Sequence, residues 1–225
     1  MEWNLWFKGE EKKMVKIFND YKHLALNYYS EKVFVAFDTE TTGLKASEDF
    51  MIEIGAVKFD CDGMIGEPFD MLIRPPVLIP PMIENLTHIT NNMVQNCPEE
   101  KEALIQFLKY ITSDNTILVA HNAPFDLGFI NTALERNHFP RLNNTCIDTL
   151  QVARWAYPEL KLCQQKGQYK LQSLAQRFNL QVEAAHRAFD DAKVCMGIIK
   201  QIIRDTMDRQ KDMDNLNKGL QLTLF

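Results

Sequence analysis

The run Val33-Phe34-Val35-Ala36-Phe37-Asp38, followed by Thr39-Glu40-Thr41-Thr42-Gly43, decides the fold. The run 33–38 is apolar up to its last residue and rich in β-formers, which predicts a short strand buried in the core. Its end is chemically awkward. Side chains at i and i+2 of a strand point the same way, so Asp38 and Glu40 aim at one point. Two carboxylates there repel each other, and burial disfavours the charge on both. The arrangement makes sense around a divalent cation, and oxygen-only ligands suit Mg²⁺ or Mn²⁺. Taken alone, an Asp-x-Glu also fits a helix cap or a solvated loop.

Working outward, Met51–Phe59 reads as a second strand, Gly63 as a turn and 68–73 as a third strand, together an antiparallel meander. The period then changes. Pro98, Glu99 and Glu100 open an amphipathic helix carrying Ala103, Leu104, Phe107, Leu108 and Ile111 on one face. A strand follows at 116–120, then a helix from Pro124 through Leu134, a short strand at 145–148 and a helix through Trp155. Residues 157–170 read as a Lys-bearing loop, 171–178 as a helix, and 189–203 as a helix with the stripe Ala192, Cys195, Met196, Ile199, Ile202 and Ile203. Strands first, then alternating helices and strands, predict an α/β domain with a mixed sheet flanked by helices.

Two further acidic positions stand out. Asp126 follows the strand at 116–120, in the first turn of a helix and among Phe125, Leu127, Phe129 and Ile130. Asp191 heads the striped helix, with His186 five residues before it across the turn. Each has an ordinary explanation, because a carboxylate is stabilised near a helix N-terminus. Asp190 and Asp191 lie about 100° apart around a helix axis, so one of them faces the site.

Together the three clusters resemble the motifs of the DEDDh, or DnaQ-like, 3′–5′ exonuclease family. The matches are Asp38-Thr39-Glu40-Thr41-Thr42-Gly43, His121-Asn122-Ala123-Pro124-Phe125-Asp126 and His186-Arg187-Ala188-Phe189-Asp190-Asp191, in the family's order. The resemblance spans roughly 33–200. It implies an RNase H-like fold and two divalent ions, Mg²⁺ or Mn²⁺. It assigns the ions to Asp38, Glu40, Asp126 and Asp191, and the general-base role to His186. Asp190 has no metal role in the pattern. Thr39 and Thr42 are expected substrate contacts, and Leu44 and Phe125 are candidate stacking surfaces for a single-stranded 3′ end, with Phe125 equally suited to the core. His88 departs from the pattern, since many relatives have Gly there. The chemistry is consistent: two cations lower the pKa of an attacking water and stabilise the leaving oxygen. An imidazole titrating near neutrality suits removal of the water's proton.

Composition bounds the partners. The net charge of −5 is unusual for a protein that grips duplex DNA by phosphate neutralisation. Contact with nucleic acid is therefore local, or helped by bound cations. Lys161, Lys166 and Lys170 are candidates for phosphate contact, with a solvated surface as the equal alternative. Five cysteines without C-x-x-C spacing point to a reducing, cytoplasmic setting.

The expected organisation is an N-terminal helical extension at 1–32, an exonuclease domain at 33–203, and a polar linker with an apolar tail at 204–225. Met14, Ile17, Phe18 and Tyr21 give the extension its helical spacing, and Trp3, Trp6 and Phe7 offer a docking arm as the sharper alternative. The tail Gln221-Leu222-Thr223-Leu224-Phe225 resembles the bacterial sliding-clamp-binding peptide, with Leu224 and Phe225 as anchors. The relatives implied are the epsilon subunit and the PolC-type exonuclease domain of bacterial DNA polymerase III. A single-stranded DNA 3′ end is the expected substrate, with a DNA polymerase and the sliding clamp as partners. RNA-trimming members share all five site residues, so an exoribonuclease is the nearest alternative. A non-catalytic adaptor is expected to have lost one of the five.

Overall fold

The fold is that of a computed structural model describing Tyr28 and residues 32–111, 116–164, 166–182 and 185–222, with side chains to 210. The expectations for 1–31 and for the tail side chains lie outside the described residues. Among the described residues five strands form one mixed sheet: β1 (Phe34–Thr41), β2 (Met51–Phe59), β3 (Phe69–Leu72), β4 (Ile117–Ala120) and β5 (Cys146–Asp148), in the order β3-β2-β1-β4-β5. The first three pair antiparallel, and β1, β4 and β5 run parallel. The RNase H-like sheet flanked by helices expected from the sequence is present.

β1 is central, which explains its apolar composition. Its even residues, Phe34 and Ala36, pack into one core layer, and its odd residues, Val35 and Phe37, pack into the other. The first layer is closed by α5 (Thr149–Ala156), α6 (Leu171–Arg177) and the start of α7 (Ala188–Leu222), which contributes Val194, Cys195, Ile198, Ile199, Ile202 and Ile203. The second is closed by α3 (Glu100–Tyr110) and α4 (Pro124–Arg136). Strand periodicity therefore points Asp38 and Glu40, both even, toward the α7 layer.

Two short helices, α1 (Pro81–Thr87) and α2 (Asn91–Val94), went unpredicted. They bury Ile79, Ile83, Ile89 and Val94 against Ile52 of β2. Four- and seven-residue helices show too little periodicity to read, although Pro81 at a helix start and Thr90, whose side chain caps Met93 N, are legible signals. Between α1 and α2, His88 sits in the left-handed region at φ 59°. That is where glycine is favoured, and it explains the residue type this chain lacks there. The loop at 157–170 contains a 3₁₀ helix, Pro158–Leu162.

Helix α7 continues to Leu222, through the stretch expected to be a polar linker. Side chains on its polar part explain why. Asp205 accepts from the Tyr157 hydroxyl and from Gln201, and Arg209 donates to the Ala156 carbonyl.

The N-terminus of α7 reaches the sheet because position 55 is glycine. Gly55 pairs directly with Asp38. A Cβ there would lie 2.0 Å from Phe189 N and 2.2 Å from the Ala188 carbonyl carbon, both backbone atoms that cannot step aside. Gly55→Ala should therefore cost about 3 kcal/mol by overpacking, read as a lower urea midpoint. An unchanged midpoint would show that α7 does not depend on this close approach.

Candidate active site

Three chain segments converge where the parallel strands end. β1 supplies Asp38 and Glu40, the start of α4 supplies Asp126, and the start of α7 supplies Asp191. Ligating atoms of Glu40, His186 and Asp191 lie within 4.8 Å of one another. Asp126 is tied to β1 by two bonds: its Oδ1 accepts from Thr39 N at 3.0 Å and Thr39 Oγ1 at 2.8 Å. A register shift between Glu40 and Thr41 ends the regular pairing of β1 with β2 at this point.

Local chain geometry presents each group. Asn122 and His186 both adopt positive φ, at 62°. The first turn is held by Asp148, whose Oδ1 accepts from Asn122 N and Leu150 N, each at 3.0 Å. His186, exposed to solvent, is held through its backbone N–H, which donates to Asp191 Oδ2 at 3.3 Å. Gln172 Nε2 donates to the other Asp191 oxygen at 2.8 Å. Asp190 faces elsewhere and pairs with Lys193 at 3.2 Å.

Glu53 is a participant that the sequence reading missed. It lies opposite Glu40 in the β1–β2 register and is fully buried. Arg187 grips its carboxylate through Nε at 3.0 Å and through Nη2, and Ala188 N–H donates at 2.8 Å. A buried carboxylate thus caps the start of α7 and pins the residue next to His186. A charge set within the otherwise apolar stretch 51–57 was the available signal, because unpaired Glu is almost never fully buried.

The electrostatics are adverse by design of the fold. Burial, and then Asp191, Glu53 and Asp126, push Glu40 up to about 8. Burial pushes Asp126 up to about 7, against the two Thr39 hydrogen bonds that favour its charged form. Burial and the neighbouring Asp126 and Glu40 hold Asp38 well above the carboxylate range, and burial raises Asp191. Carboxylates that hold protons this tightly, with only oxygen donors and one imidazole beside them, fit hard divalent cations. The other described cluster of this kind, Asp60, Cys61 and Asp62, includes a thiol and lies in the turn after β2, which runs antiparallel to β1.

The four positions assigned to substrate contact divide in two. Thr39 and Thr42 are buried, and their hydroxyls are engaged internally, Thr39 with Asp126 and Thr42 with Asp49 and Phe50 N. Leu44 is 82 % exposed beside the site, and Phe125 is half-buried against Phe129 with ring centroids 5.0 Å apart.

Comparison with known proteins agrees with this arrangement. The sequence profile of the exonuclease (RNase T) family matches residues 35–199. The chain is 46 % identical over 170 residues to the DNA polymerase III subunit epsilon of Treponema pallidum, covering 76 % of each protein. It is 40 % identical over 188 residues to the PolC-type DNA polymerase III of Clostridium perfringens, covering 82 % of this chain but 12 % of that protein. Among solved structures, an E. coli exonuclease I–ssDNA complex superposes with a TM-score of 0.69 at 20 % identity, over 82 % of this chain and 43 % of that one. Exonuclease X bound to 5′-overhanging duplex DNA superposes with a TM-score of 0.59 at 26 % identity, over 76 % and 91 %. The chain belongs to the DnaQ-like 3′–5′ exonuclease family.

Proposed function

We propose that this protein hydrolyses single-stranded DNA from its 3′ end, releasing nucleoside monophosphates in the manner of a proofreading or end-trimming nuclease. The convergence of Asp38, Glu40, Asp126 and Asp191 beside His186 carries the reading. Likeness to an epsilon subunit favours DNA and a DNA polymerase partner. All five residues are present, which disfavours a non-catalytic adaptor.

The four carboxylates would hold two Mg²⁺ or Mn²⁺ ions, which when bound activate water and stabilise the leaving oxygen. His186 takes the proton from the attacking water, and its exposure lets it pass that proton to solvent. Gln172 and the His186 backbone orient Asp191, while Thr39 orients Asp126. Glu53 and Arg187 hold the turn that carries His186. Leu44 and Phe125 offer apolar surfaces to the terminal bases.

His186→Ala should lower Mg²⁺-dependent release of nucleotides from a labelled DNA oligonucleotide by about 10²–10⁴-fold, with EDTA abolishing the wild-type activity. Retention of full activity by that variant would remove the base from the mechanism. Matched RNA should be degraded more slowly, and the reverse order would make the enzyme an exoribonuclease.

The raised carboxylates also set a pH dependence with a definite sign. Unfolded Asp and Glu release protons near pH 4, whereas folded Glu40 and Asp126 retain them to about 8 and about 7. In this window the folded state binds more protons, so its stability falls as pH rises. Calorimetry in EDTA should show the melting temperature dropping between pH 5 and 8, and Mg²⁺ or Mn²⁺ should restore it at pH 8. A metal-free protein that gains stability over that range would contradict the reading.

The tail Gln221, Leu222, Thr223, Leu224 and Phe225 is proposed to tether the enzyme to a sliding clamp. Deleting 221–225 should abolish clamp binding by surface plasmon resonance and spare hydrolysis of short oligonucleotides. Undiminished clamp binding would reject the tether.

A further inference from the structure

An open cleft of about 640 Å³ is lined by Gln151, Arg154, Trp155, Lys161 and Tyr169. Helix α5 presents the first three at positions i, i+3 and i+4, which is one helical face. The returning loop supplies Lys161 and Tyr169. Among the described residues the lining carries two cations and no carboxylate, in a chain whose net charge is −5. The acid nearest in the loop, Glu159, is drawn to Arg177 at 3.7 Å.

The aromatic groups are set for stacking. Trp155 is 42 % exposed, although large aromatic side chains ordinarily bury themselves. Tyr169 is fixed in place: its hydroxyl donates to the Tyr157 carbonyl at 2.7 Å and also meets the Lys161 backbone. The Arg154 guanidinium lies 6.0 Å from the Tyr169 ring centroid. A held ring flanked by cations, next to an exposed indole, is the chemistry that takes unpaired bases on a phosphate backbone.

The cleft shares structure with the cage. The Tyr169 backbone bonds to the ring of His121, the residue directly after β4. His121 Nδ1 lies 2.9 Å from the Thr149 hydroxyl at the start of α5. Three residues after Tyr169, Gln172 holds Asp191. The segment 169–172 is thus a wall of both sites.

We propose that this cleft holds the nucleic-acid strand upstream of the three 3′-terminal nucleotides, with Trp155 and Tyr169 stacking on bases and Arg154 and Lys161 meeting phosphates. The inference rests on the reading of the cage as a single-stranded DNA exonuclease. It explains how an acidic protein holds a polyanion, by a local basic strip rather than by overall charge.

The test uses the full chain with Mg²⁺ and dT16 or dT3 carrying hydrolysis-resistant phosphorothioate linkages, with affinity read by fluorescence anisotropy. The double variant Trp155→Ala/Arg154→Gln should bind dT16 at least about tenfold more weakly. Its log Kd against log salt should lose about one unit of slope, as expected for one phosphate contact removed. Its dT3 affinity should change less than twofold. Equal weakening for dT16 and dT3, or no weakening for either, overturns the cleft. A loss confined to rU16 in a parallel series overturns its assignment to DNA. Hydrolysis of unmodified dT16 by the wild type separates the two levels: an active wild type with an unaffected variant sinks the cleft alone, whereas an inactive wild type sinks the functional reading and the cleft with it.

Discussion

The site is organised around a repulsion. Asp38, Glu40, Asp126 and Asp191 are brought within electrostatic reach of one another in a poorly solvated place, and each holds its proton more tightly than a free carboxyl does. Nothing in folding favours this, because each charge there loses hydration and meets like charges. The rest of the architecture supplies the countervailing energy. Two core layers clamp β1 from both faces, so the strand cannot withdraw its acidic end.

The gathering depends on a few contacts between elements. Thr39 fastens Asp126 to the strand that carries Asp38 and Glu40. Glu53 fastens the start of α7 to the neighbouring strand through Arg187 and Ala188, and Gly55 leaves room for that helix to approach. Strand pairing places Gly55 opposite Asp38 and Glu53 opposite Glu40. Residues directly opposite in an antiparallel pair share a face, so this register sets both the acidic pair and the seat of α7. A slip of β2 by one residue would turn Glu53 and Gly55 to the other face of the sheet.

Much of this was legible in the sequence. The apolar run at 33–37 predicted a buried strand, and strand periodicity predicted that Asp38 and Glu40 point together. The strand runs on through Thr41, which keeps Glu40 under that periodicity. Local pattern showed Asp126 and Asp191 only as helix-start acids, and it took the family resemblance to bring them to the same ions as Asp38 and Glu40, because their meeting depends on crossover connections that local patterns do not encode. Glu53 escaped because its partner, Arg187, lies 134 residues away. The length of α7 escaped because its polar part is held by distant partners, Tyr157 and Ala156, rather than by its own apolar stripe. Thr39 and Thr42 carried no sign that their hydroxyls would be engaged within the fold.

The same repulsion makes the account testable at its root. The number of Mn²⁺ ions in a crystal soaked at pH 8 can be counted by anomalous scattering, for the wild type and for Asp126→Asn. Two peaks among Asp38, Glu40, Asp126 and Asp191 in the wild type, with at least one lost in the variant, are the predicted result. A wild-type crystal with no peak in that cage would contradict the claim that these carboxylates are gathered to hold metal.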